Sequence, residues 1–166
     1  MIYDKHGIEI SIVCQRVSSA LSIIGSLIII NQILSSYEQK LKLMHHRIIL
    51  SMSCCDLIGS IALFVGRWAA PKNVNEEWLS NNVGSQFTCD LQGFILSFGF
   101  SSVSVCMTFL SIYYMLSVRY NWREERLKKI EWAFRLLLIL CVVISVIPIV
   151  NQSYNPYPTF CWVQVS

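Results

Sequence analysis

The chain has 166 residues, 54% hydrophobic and only 14% charged, with a net charge of +3 and a mean hydropathy of +0.52. Soluble domains run near ~45–50% and ~25%, so this composition points to a membrane protein before any segment is read. The small net charge gives no argument for nucleic acid as a partner, and Asp4, Lys5, Glu9 and Arg16 interrupt the early apolar core that a secretory signal peptide needs.

Residues 1–16 read as a short mixed lead. The first apolar run, 17–34 (VSSALSIIGSLIIINQIL), is about eighteen residues, the minimum for a membrane-spanning helix. Ser18, Ser22 and Ser26 share one face of it with Gly25 alongside, a small-residue stripe of the kind that lets helices approach closely. Asn31 lies within the run and calls for a hydrogen-bond partner from another helix. A basic connection follows, with Lys40, Lys42 and Arg47.

The second span is predicted over 48–66. Its one charge-bearing residue, Asp56, lies about eight residues from the basic end, roughly 12 Å deep by helix rise. An ionisable group inside a span is a functional candidate by default. Two readings stand side by side for it. Asp56 either coordinates a cation or takes a proton during switching, or it is hydrogen-bonded to Asn31 and to serines of a neighbouring helix.

Residues 67–88 form a polar connection with Arg67, Lys72, Glu76 and Glu77. The third span, 91–118, has no charged residue and reaches roughly 42 Å, against ~30 Å for a bilayer core. Gly93, Ser97, Ser101, Ser104, Thr108 and Ser111 recur along it every three or four residues, so one face is small and hydroxylated. That face predicts a helix enclosed by neighbours. A strongly basic connection, 119–131, leads to the fourth span, 132–150. Trp132 suits the headgroup layer, Arg135 can reach back to it, and Pro148 is expected to end or bend the helix. The remainder, 151–166, reads as a polar loop.

Four spans make a single all-α transmembrane domain over 1–166. The first and third connections hold most of the Lys and Arg, so the positive-inside rule places them in the cytoplasm and both chain ends outside. The expected location is the plasma membrane, multi-pass, with the N-terminus outside and the lipid bilayer as the first partner. Seven cysteines are present. Cys54, Cys55, Cys106 and Cys141 fall within spans, where a thiol acts as a small apolar group. Cys14 is ambiguous. Cys89 and Cys161 lie in outside loops, a compartment that permits disulfides, and a bond between them would tether the third span to the tail. Two unrelated thiols is the alternative. Asn151-Gln152-Ser153 is a glycosylation triplet on that same side.

Read together, four stretches resemble the first four helices of a seven-helix G-protein-coupled receptor, nearest to the cyclic-AMP-receptor-like group with secretin-like receptors as neighbours. Ser22 to Ser26 is similar to a Ser-x-x-Gly-Ser run of that group. Arg47 to Leu57 (RIILSMSCCDL) resembles its loop-one arginine and the helix that follows. Cys89 to Phe94 (CDLQGF) resembles its third-helix opening, and Cys161-Trp162 the Cys-Trp pair of its second outer loop. The resemblance implies a Cys89–Cys161 disulfide, an extracellular ligand, and a heterotrimeric G protein that Arg119, Arg123 and Arg126 could meet. It also implies a partial bundle, since helices five to seven have no counterpart in the chain.

Departures accompany the likeness. Cys54-Cys55 stands where the group has serine before the acid, and Val118 replaces the acid of an acid-arginine-tyrosine motif at Arg119-Tyr120. No phosphate loop, CxxC pair, HExxH or nucleophile elbow is present, so neither catalysis, a metal nor a cofactor is expected. The competing reading is a self-contained four-helix membrane protein, a scaffold or channel subunit, in which the serine face of the third span lines water.

Overall fold

Four long helices account for most of the computed structural model, which describes residues 5–35, 43–71, 83–151, 153–156 and 159–163. They are α1 (Lys5–Leu34), α2 (Met44–Val65), α3 (Gln86–Tyr114) and α4 (Glu124–Val150), followed by two short strands, β1 (Tyr154–Pro156) and β2 (Cys161–Val163). All four are long and apolar enough to cross a membrane. Lys40, Lys42, Lys72, Glu76, Glu77 and Gln152 lie outside the described residues.

Two helices begin well before their charge-free runs. α1 extends back to Lys5 through the expected lead, because a helix tolerates charged side chains that point outward. His6 and Glu9 are exposed, and the Arg16 guanidinium stacks over the Trp68 ring at 4.4 Å. α4 starts at Glu124 rather than 132, so the third connection shrinks to a tight turn. Its first two turns are amphipathic: Leu127 is buried, and Glu131 pairs with Arg47 and Arg135, each at 2.7 Å. Pro148 lies inside the last turn of α4, two residues before the helix ends at Val150; with no N–H it leaves the carbonyl four residues earlier without its helical donor.

α3 starts on a built cap. Ser85 Oγ accepts from the Thr88 backbone N–H, and Thr88 Oγ1 accepts from the Ser85 N–H at 2.7 Å, a capping box with threonine in the place usual for glutamate. At its far end the helix widens into a π-helical turn, Met115–Arg119. α2 ends at Gly66, whose φ of +53° lets the chain turn into a short 3-10 segment, Gly66–Ala69.

The helices pack in sequence, α1 on α2, α2 on α3 and α3 on α4. At the basic end, α2 also meets α4 around a core of Met44, Ile48, Cys106, Phe109, Tyr113, Leu127 and Phe134. At the crossing of α2 and α3, Gly59 and Gly99 place backbone against backbone: a Cβ on Gly99 would lie 3.3 Å from the Gly59 Cα. The tail is not the irregular loop expected. β1 and β2 pair antiparallel, with Pro156 opposite Cys161, and both strands pack on α3. Strands of three residues leave too little alternation to be read from sequence.

Candidate functional site

Asp56 sits half-buried in the middle of α2. Ser22 Oγ and Ser26 Oγ, one helical turn apart on α1, both donate to Asp56 Oδ2 at 2.6 Å. The small-residue stripe of α1 therefore does more than admit close packing, since it presents two donors to an acid that the apolar surroundings would otherwise penalise. Asn31 is not brought to this site. It is exposed near the end of α1, about 140° round the helix from Ser26. Beside Asp56 lies a cavity of about 140 Å³, lined among others by Gly59, Ser60, Gly99, Phe100 and Val103.

The hydroxyl stripe of α3 divides. Gly93 is buried, Ser97 and Ser101 are half-buried, and Ser104, Thr108 and Ser111 are exposed. Ser101, Ser104, Thr108 and Ser111 each donate to the carbonyl four residues earlier, so the strip is polar but internally satisfied. Enclosure by neighbours was expected along the whole face. The described helices supply it only towards the disulfide end.

That end is a clamp. Cys89 and Cys161 are joined and fully buried, tying the first turn of α3 to β2. Gln92, one turn further along α3 and 4% exposed, holds three backbones at once. Its Nε2 donates to Ala62 O at 2.9 Å and Gly66 O at 2.8 Å, and its Oε1 accepts from Cys161 N at 3.0 Å. Tyr154 of β1 is fully buried against Gly93, where any Cβ would run into its ring, and its hydroxyl donates to Ser145 O of α4 at 3.0 Å. Burial pushes the Tyr154 phenol above its ordinary value. Trp162 packs edge-on against both Phe100 and Phe160. Asn151 is exposed at the end of α4.

At the basic end, Arg119, Arg123 and Arg126 are all exposed, while Glu131 ties Arg47 of α2 to Arg135 on its own helix. The His45 and His46 rings lie 4.0 Å apart, tilted by 39°, and His45 also meets the Tyr113 ring at 5.4 Å. Among the described residues no group of three or more His, Cys, Asp or Glu could hold a metal ion.

Sequence reasoning missed the parts played by Gln92, Tyr154 and Glu131. Gln92 carried a usable signal, being an amide in an otherwise apolar run, which requires partners when buried. Tyr154 carried none, because its role depends on the strand pairing. The chain matches no protein-family model and no curated protein.

Proposed function

We propose that the chain is a multi-pass plasma-membrane protein forming the first four helices of a seven-helix G-protein-coupled receptor. In this reading the disulfide end and the N-terminus face outside and the basic end faces the cytoplasm. The observation that carries it is the clamp of α3 to the hairpin after α4 through Cys89–Cys161, because the sequence resemblance implies that same tether. The exposed strip of Ser104, Met107, Thr108 and Ser111 supports it further, as a semi-polar surface that additional helices would cover. An extracellular ligand enters from the hairpin side, Asp56 sits on the route between the two ends, and a heterotrimeric G protein meets Arg119, Arg123 and Arg126.

Two measurements test this. Membrane-impermeant labelling of tagged protein in intact cells should reach the N-terminus and leave the 119–126 segment unmodified. Capture of a heterotrimeric G protein after nucleotide depletion should succeed and be lost in Arg123→Glu/Arg126→Glu. Labelling of the basic segment from outside would sink the orientation, and capture that survives the double substitution would sink the roles given to Arg123 and Arg126. The same exposed hydroxyls favour one alternative, a four-helix subunit whose copies assemble with α3 lining water. Ion conductance of the reconstituted chain without G-protein capture would select it.

A further inference from the structure

The turn between α3 and α4 builds a cup. Asn121 adopts a left-handed φ of +48°, which reverses the chain sharply after the π-helical turn, and the Trp122 N–H donates back to Leu116 O at 3.2 Å. The turn encloses about 400 Å³ lined by Tyr120, Asn121, Trp122, Arg123, Glu125 and Arg126. Arg123 and Arg126 line it together with Glu125, and no ion pair among the described residues engages either arginine. Guanidinium groups match phosphate oxygens in geometry as well as charge. Trp and Tyr beside them suit the headgroup layer of a membrane.

Below the cup the chemistry changes to apolar. Trp132, Leu136, Ile139 and Val143 lie seven, eleven, fourteen and eighteen residues after Glu125, which puts all four on the α4 face beneath it. Each is exposed. A cup that carries two arginines, followed along the same helix by an apolar track, has the two chemistries of a phospholipid in the right order. We propose that the cup binds the phosphate-bearing headgroup of an anionic phospholipid whose chains lie along this strip of α4. The inference rests on the membrane placement proposed above and not on the receptor assignment.

The test uses the full chain in phosphatidylcholine vesicles containing an equal fraction of either chain-brominated phosphatidylserine or chain-brominated phosphatidylcholine. The readout is quenching of Trp122, with Trp122→Phe giving the background of the other tryptophans. The anionic lipid should be enriched at Trp122 by more than the about fivefold that any one basic side chain contributes at an anionic surface. Arg123→Gln/Arg126→Gln should abolish the preference. Arg119→Gln/Lys129→Gln removes the same charge outside the cup and should keep most of it. Equal loss in both double variants would mean diffuse surface attraction and overturn the site. So would displacement by inorganic phosphate without lipid preference, which would mark a soluble anion as the occupant. Equal quenching by both lipids refutes the site while leaving membrane insertion intact. No quenching of any tryptophan refutes the insertion itself.

Discussion

Replacing Gln92 with leucine should loosen the disulfide end more than its single side chain suggests. Leucine is close in volume, so the cavity contribution is small. The loss is polar. The buried Cys161 N–H loses its acceptor at 3.0 Å, and an orphaned donor costs ~1–3 kcal/mol. Ala62 O and Gly66 O each lose a donor, though Ala62 O keeps the Gly66 N–H, which holds the cost near ~0.5 kcal/mol apiece. The sum is roughly 2–4 kcal/mol, a fall in melting temperature of about 4–16 °C for a chain of this size. Heating the purified protein in detergent and following its monodisperse fraction by size exclusion reads this directly. At a temperature below unfolding, dithiothreitol should also reduce Cys89–Cys161 faster in the variant, because the hairpin loses its anchor. A shift under about 2 °C with unchanged reduction would refute the role given to Gln92.

The serine pair gives a second case: Ser22→Ala/Ser26→Ala should cost more stability, about 2 kcal/mol, than Asp56→Asn, which keeps an acceptor oxygen for both hydroxyls, and the reverse ranking in the same assay would remove the hydrogen bonds as the reason. Two glycine substitutions should have opposite signs. Gly93→Ala drives a methyl into the fully buried Tyr154 ring and should destabilise by ~1–3 kcal/mol, whereas Gly25→Ala meets open space inside a helix and should stabilise by ~0.5–1 kcal/mol; like signs would contradict the packing described. Tyr154→Phe should cost about 1 kcal/mol through the lost bond to Ser145 O. Because burial raises its folded pKa, the Tyr154 contribution is intact below the ordinary tyrosine value of 10.0 and is lost as pH rises through the higher folded one. Ultraviolet titration should show one late tyrosinate that the phenylalanine variant lacks.

Hydropathy made the four helices legible, and it also misplaced their starts. A charge-free window treats Glu9 or Glu125 as a stop, yet backbone hydrogen bonding continues through residues whose side chains are exposed. The α1 and α4 boundaries were therefore set by exposure, which a linear reading does not contain. The serines of α1 were legible as one face, but whether that face meets Asp56 or lipid depends on how α1 is rotated against α2. Asn31 shows the limit, since its polarity suggested the acid as partner while its angle about the helix takes it elsewhere. The pairing of Cys89 with Cys161 was open to reasoning from loop position and from family likeness together. The hairpin that carries Cys161 was not.

The glycine contact between α2 and α3 has a mechanical consequence. With Gly59 against Gly99 there are no interlocking side chains at that point, so the two rods touch as if on a fulcrum. Their scissor angle is then governed by whatever grips the arms on either side. Gln92 grips one arm about 10 Å from the fulcrum, and Tyr113 lies in the opposite one about 21 Å away. A small sideways push at the short arm would be returned at the long arm about twice as large and in the opposite sense.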